Sequence, residues 1–238
     1  MTTNETIQGK ALVVGANGGM GRAVALTLAN QGVDVALMGR NEAAIAAIVA
    51  ECRNTGVNAI PVVCDIAQTA TIEAGVNAAI EQLGGLNYLV NCAGISPGGK
   101  LYEGDLASAE ALLDTNLRAH LHLARHALPE INRNSGGAII KIGAVHSPYP
   151  GVSTYLAANR GGEGLAEALF EDVREFGTRV CNIKPGWVNT PLVKAENIDK
   201  GLMIQAEDVA RAVLFVLAMP VTACVTDMTI LPQRSPYI

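Results

Sequence analysis

The chain is poor in charge, in aromatic rings and in patterned cysteine. Of its 238 residues only 16% are charged and 4% aromatic, while 50% are hydrophobic. A core must therefore be built mainly from Ala, Val, Leu and Ile, and there is enough of it for one α/β domain. No cluster of Lys or Arg occurs, and the net charge is −5. Both argue against a nucleic-acid partner or an anionic-membrane surface. Cys52, Cys64, Cys92, Cys181 and Cys224 include no CxxC pair. They read as small buried hydrophobes in a reducing compartment, not as a disulfide framework. Residues 1–5 lack the charged and apolar regions of a signal peptide. The longest late apolar stretch, 213–225, is interrupted by Pro220 and is too short to span a bilayer. The expectation is a cytoplasmic protein.

What is present is a regular alternation. Short apolar runs at 11–14, 34–38, 59–63, 88–90, 138–142, 179–183 and 228–231 read as strands. Between them lie helical patterns at about 20–30, 42–54, 70–82, 108–128, 155–176 and 207–218. Strands alternating with helices predict βαβ units: an α/β fold of the Rossmann type, a doubly wound parallel sheet in a single domain over 1–238. Right-handed crossovers place the carboxyl ends of the strands on one edge, where such sheets bind ligands.

The first strand runs into Gly15-Ala16-Asn17-Gly18-Gly19-Met20-Gly21 and then a helix. Here Gly15 allows the tight turn, Gly19 admits the backbone of a pyrophosphate, and Gly21 lets the helix pack close, so Gly15, Asn17, Gly18, Gly19, Met20 and Gly21 are candidate cofactor contacts. The second strand ends in Leu37-Met38-Gly39-Arg40-Asn41, with no acidic residue to hold a ribose 2′-hydroxyl. Arg40 instead offers a permanent cation with a planar fork suited to a 2′-phosphate, which predicts NADP in preference to NAD. A solvated loop arginine is the plainer alternative.

Further along come Asn91-Cys92-Ala93-Gly94, then Asn116, then Tyr155 after Pro150-Gly151-Val152-Ser153-Thr154, then Pro185-Gly186. With the GxxxGxG loop this order resembles the short-chain dehydrogenase/reductase family over almost the whole chain. The resemblance implies a nicotinamide-dependent oxidoreductase in which Tyr155 moves the proton and Asn116 holds a relay water. Asp65, with Ile66 beside it, would contact the adenine ring. Asn91, Ala93 and Gly94 would close against the adenosine side, and Pro185, Gly186 and Val188 would lie beside the nicotinamide. Asp65 could equally cap the helix that follows it. A substrate lid is implied at about 188–203, with Trp187, Leu192, Val193 and Tyr149 giving an apolar wall.

The chain departs from the family at two positions. The family's lysine, four residues after the tyrosine, is replaced by Asn159, and its serine by Ala144. A phenol ionises near pH 10, so it is a poor base at neutral pH without a neighbouring cation. Lys184, His146 and Arg160 are the candidates to compensate, although Arg160 is turned about 100° from Asn159 on the helix. His122 and His126, four apart, could hold a metal, but no third ligand is evident and a subunit interface suits them better. The function expected is NADP-dependent interconversion of a carbonyl and a secondary alcohol on a small, largely uncharged substrate, by a homodimer or homotetramer. Two alternatives remain open: a cofactor-binding protein without redox turnover, and a non-redox enzyme on the same scaffold.

Overall fold

Seven apolar segments pair side by side in the computed structural model, which describes residues 7–96, 99–145, 147–193 and 197–237. The strands are β1 (Lys10–Val14), β2 (Asp34–Gly39), β3 (Ala59–Val63), β4 (Tyr88–Asn91), β5 (Ala138–Ile142), β6 (Arg179–Pro185) and β7 (Asp227–Ile230). They form one sheet in the order β3-β2-β1-β4-β5-β6-β7, with every pairing parallel. The strand order reverses between β1 and β4, and a crevice outside their carboxyl ends is the expected ligand position in such a sheet.

The helices are α1 (Gly19–Asn30), α2 (Glu42–Arg53), α3 (Ile72–Leu83), α4 (Leu106–Leu113), α5 (Ala119–Ile131), α6 (Ser153–Val173) and α7 (Ala206–Leu217). Alternate strand residues feed opposite faces of the sheet. Ala11, Val13, Val35, Leu37 and Ile140 pack with α1, α2 and α7. Leu12, Val14, Ala36, Leu89 and Ile139 pack with α3, α5 and α6. The core is built from small aliphatic residues, as the scarcity of aromatics requires.

Several boundaries shift by one to three residues from the pattern in the sequence, and two of the differences have a local cause. The helix expected at 108–128 starts at Leu106, because Asp105 accepts from the Ala107 and Ser108 backbone N–H groups. It is then interrupted by a π-helical turn, Asp114–Arg118, between α4 and α5. β6 runs two residues beyond the expected 183, because Lys184 and Pro185 stand in register with Thr229 and Ile230 of β7. No helix among the described residues is long and apolar enough to cross a membrane.

Candidate functional site

The glycine loop leaves β1 through Gly15, whose φ of +74° suits only a residue without a side chain. A Cβ there would fall 2.8 Å from the Ala93 nitrogen, so the bare glycine also lets the segment after β4 close against the loop. A Cβ on Gly21 would lie 2.2 Å from the Gly15 carbonyl oxygen. Helix α1 begins with Gly18 as N-cap, no side chain capping it and no acidic residue in its first turn. Its first backbone N–H groups and the positive end of its dipole therefore face the loop, an arrangement that fits a phosphate group. On Gly19 a Cβ would meet Thr190 Cγ2 at 2.8 Å, which brings the start of the expected lid over the loop. Asn17 reaches the end of β2, where only a glycine at 39 leaves space for its Oδ1. Met20 is half-buried against the α1-side core.

Arg40 follows β2, exposed and without a hydrogen bond or ion pair among the described residues. Asp65 caps a turn rather than a helix: its Oδ1 accepts from Ala67 N at 3.2 Å, while Thr71 is the N-cap of α3. Ile66 is a buried core residue on the α3 side of the sheet, so only its backbone can face a ligand. Asn91 is fully buried and turns the chain at the end of β4, accepting from Ala93 N at 3.0 Å and meeting His120 Nδ1 at 3.4 Å. Asn116, in the π-helical turn, holds the next stretch on both sides. Its Oδ1 accepts from Ile95 N at 2.8 Å and its Nδ2 donates to Ile95 O at 2.9 Å. Its Oδ1 lies 3.5 Å from where a Cβ on Gly94 would sit.

Tyr155 stands in the first turn of α6, half-buried. Burial pushes its phenol above the ordinary value of 10.0; the neighbouring Asn159 amide pulls it back in part, and Tyr149 adds to the rise. Asn159 is buried and donates from Nδ2 to the Tyr155 carbonyl at 2.9 Å, one turn back on its own helix. Ala144 lies just past β5, beside Gly143. The residues expected to compensate for the missing lysine are otherwise engaged or out of view. Arg160 is paired with Glu163 at 2.7 Å on the exposed side of α6. Lys184 is neutralised by Asp227 at 2.8 Å and by Glu163 at 3.8 Å. His146 lies outside the described residues.

Past Pro185 the chain turns through Gly186, whose N–H donates to Ile230 O at 2.8 Å. Val188 is buried and bridges Ile204, so the two ends of the segment expected to form a lid are stitched together. Trp187 donates from Nε1 to Tyr237 Oη at 2.8 Å, and the two rings meet edge to face. Residues 194–196 of the expected lid lie outside the described residues. His122 and His126 stack with ring centroids 6.4 Å apart, and no group of three metal-ligating side chains occurs among the described residues.

The sequence patterns did not single out a polar cluster beneath the site. Lys141 stands in the middle of the apolar strand β5, 3% exposed. His120 on α5 is fully buried, and burial and the Lys141 charge together push its imidazole down to about 3. Among the described residues, His120 Nε2 and Asn182 Oδ1 are buried without hydrogen-bond partners. A lysine inside the run Ala-Ile-Ile-Lys-Ile was the available signal, since a strand covered on both faces ordinarily excludes charge.

Comparison with known proteins agrees with this geometry. The family described as short chain dehydrogenase matches residues 9–201. An uncharacterized oxidoreductase of Staphylococcus epidermidis is 29% identical over 224 residues, 93% of this chain and 96% of that one. A dehydrogenase/reductase from Sinorhizobium meliloti is 31% identical, with a TM-score of 0.86 over 95% of this chain and 96% of that one. A short chain dehydrogenase from Burkholderia cenocepacia, solved in complex with NADP, is 30% identical, with a TM-score of 0.88 over 96% of this chain and 98% of that one. A fold, a glycine-loop geometry and a sequence match of this extent have one source: the chain belongs to the short-chain dehydrogenase family.

Proposed function

We propose that the protein is an NADP-dependent oxidoreductase that interconverts a carbonyl and a secondary alcohol on a small, largely uncharged substrate, with Tyr155 as the acid–base group. The observation that carries this reading is a convergence on one sheet edge. The uncapped N-terminus of α1, the unpaired Arg40 and the half-buried Tyr155 phenol all lie beyond the carboxyl ends of β1, β2 and β5. When bound, the nicotinamide supplies or accepts a hydride at the substrate carbon. The loop from Gly15 to Gly21 and the first turn of α1 hold its pyrophosphate, and Arg40 faces a 2′-phosphate. Asp65, Ile66, Asn91, Ala93 and Gly94 border the adenosine side, and Pro185, Gly186 and Val188 the nicotinamide side. Asn159 would offer its amide oxygen to a ribose hydroxyl. In the oxidative direction the substrate hydroxyl gives its proton to the Tyr155 oxygen as the carbon loses hydride. In the reductive direction the phenol returns that proton to the forming alkoxide. The Burkholderia cenocepacia relative, 30% identical and bound to NADP, supports the cofactor choice. Trp187 and Leu192, both exposed beside the edge, suit an apolar substrate wall.

A second reading, a cofactor-binding protein without turnover, is favoured by two residues. Ala144 offers no donor to a carbonyl, a contact commonly worth a few kcal/mol in the transition state, and the Asn159 amide adds no charge. One experiment separates the two. The purified protein is titrated with NADPH by fluorescence, then mixed with a panel of aldehydes and ketones while cofactor absorbance is followed. Oxidation of NADPH that is lost in Tyr155→Phe supports the first reading. Tight NADPH binding with no oxidation, in the native protein and in Ala144→Ser/Asn159→Lys alike, supports the second. We further propose a homodimer or homotetramer assembled through α4, α5 and α6, where Leu106 and Leu121 stand exposed. A monomeric mass by light scattering at micromolar concentration would exclude it. All five cysteines are free thiols, which suits a reducing cytosol.

A further inference from the structure

The chain holds a single tryptophan, and the fold sets it against the carboxyl-terminal segment. Trp187 is the second residue past Pro185, whose carbonyl accepts from Val145 N at 2.9 Å. Trp187 therefore leaves β6 beside the stretch that carries Ala144. Its backbone is tied down where its carbonyl accepts from Ile204 N at 3.0 Å. Its ring is met by Tyr237, whose Oη accepts from Nε1 at 2.8 Å and whose own ring stands edge to face with centroids 6.2 Å apart. We propose that the carboxyl-terminal segment completes the substrate site: Tyr237 is a positioning residue that holds Trp187 as an aromatic wall, and that wall selects carbonyl compounds bearing a planar apolar ring. The proposal deepens, and rests on, the reading of the protein as an oxidoreductase acting on carbonyls.

The anchoring of the segment carries the argument. Pro236 is buried, and its carbonyl accepts from Asp199 N at 2.8 Å. Tyr237 forms an antiparallel bridge with Ile198, itself buried. The backbone of Tyr237 is thus pinned, and its phenol reaches Trp187 with little freedom left. A hydrogen bond to Nε1 and an edge-on ring together favour one orientation of the indole. A wall ordered in advance spares a ligand the cost of ordering it on binding. Both rings nonetheless stay open to solvent, Trp187 38% and Tyr237 59% exposed, in a chain that is only 4% aromatic. Exposed Tyr149 and Leu192 are the other residues expected on this wall. An ordered indole and phenol held open add little to the core, and a flat apolar group laid against them gains most from their faces. The cation–ring contacts among the described residues lie elsewhere, Lys100 on Tyr102 and Arg174 on Phe170. The Trp187–Tyr237 pair is therefore left for a neutral ring.

The single tryptophan makes the test direct, because fluorotryptophan labelling gives one fluorine NMR signal, that of Trp187. The protein saturated with oxidised NADP is titrated with acetophenone, and separately with a straight-chain ketone of equal carbon number. Neither ketone can be reduced without NADPH, so binding is read apart from turnover. Affinities are taken from the ketones' own NMR signals, which allows variants without tryptophan to be compared. Acetophenone should move the Trp187 signal saturably and bind about tenfold more tightly than the straight-chain ketone, the scale of a ring contact. In Tyr237→Ala that preference should fall about tenfold while NADPH affinity stays unchanged. Tyr237→Phe keeps the ring, loses the acceptor and should fall between, and it serves as the test if Tyr237→Ala does not fold. In Trp187→Leu the preference should vanish, and adding Tyr237→Ala should change it no further, since Tyr237 acts through Trp187. With NADPH present, Tyr237→Ala should raise KM for acetophenone about tenfold and leave kcat within about twofold. A Trp187 signal that acetophenone does not move, or a preference that the Tyr237 variants leave intact, overturns the proposal. If ketones are reduced but Trp187 does not respond, the oxidoreductase reading stands and the aromatic wall falls. If Trp187 and the preference respond as expected but no NADPH is oxidised, the wall stands and the oxidoreductase reading falls.

Discussion

Arg40 and Tyr155 carry opposite kinds of constraint. Arg40 is exposed and unpaired among the described residues, so its contribution comes only with a bound anion. A charge-assisted contact to a 2′-phosphate is worth about 1.5–3 kcal/mol, or roughly 10- to 100-fold in affinity. NADPH should therefore bind more tightly than NADH by about that factor, and Arg40→Asp should reverse the order. Equal affinity of the native protein for both cofactors, measured by fluorescence titration, refutes this role. Tyr155 is held by its surroundings with its phenol above the ordinary 10.0, burial being the main cause. The phenolate is then scarce at pH 7, and alcohol oxidation should climb with pH through the neutral and mildly alkaline range. Carbonyl reduction uses the protonated phenol and should stay nearly flat over the same range. Initial rates in both directions between pH 6 and 9 test this, and an oxidation rate independent of pH counts against Tyr155 as the base.

Among the elements, the long helix from Leu106 to Ile131 is the one whose local conformation departs from its sequence pattern. Its π-helical turn, Asp114–Arg118, carries Asn116, whose amide serves both the N–H and the C=O of Ile95. Insertions of this kind are frequent at functional sites, because one extra residue per turn re-aims a side chain. Asn116→Ala leaves two partly buried backbone groups without a protein partner and should cost about 1–3 kcal/mol. Urea unfolding would measure it, and a loss under a few tenths would mean that solvent replaces the amide. One turn later on the same helix, His120 is buried and neutral. Its ionisation in the fold is pushed down to about 3 from 6.5, first by burial and then by Lys141. The unfolded chain thus takes up this proton first as pH falls. The stability tied to a neutral His120 is complete above pH 6.5 and is lost progressively toward pH 3, at about 1.4 kcal/mol per unit. Between pH 6.5 and 5 the loss should be about 2 kcal/mol in denaturant unfolding, and His120→Gln should flatten that limb. Lys141 gives a slope of the same sign in a higher window: its ammonium is held down from 10.5 to about 8, so stability rises with pH between those values as the fold sheds the buried charge first.

For the whole molecule, the sheet and its crevice follow from patterns that act locally. Alternating apolar strands and amphipathic helices, a glycine loop at the first strand–helix junction and right-handed crossovers leave few arrangements other than a doubly wound sheet. All seven strands form where the apolar runs lie, and all join one parallel sheet. The sequence by itself thus determined the fold and which residues stand at the carboxyl ends of its strands. It also sets Asn159 four residues after Tyr155 and Ala144 just past β5. It did not determine charge balance. Nothing in the order of residues states that Lys184 would meet Asp227, that Arg160 would turn to Glu163, or that Lys141 and His120, from different elements, would be buried within reach of each other's charge. Those pairings join residues far apart in the chain, through the packing of α5 and α6 on β4, β5 and β6. An ionisable group's behaviour depends on the solvent removed from it and on the charges placed around it. Only tertiary packing decides both, which is why the candidate residues were legible in the sequence and the charges set around them were not.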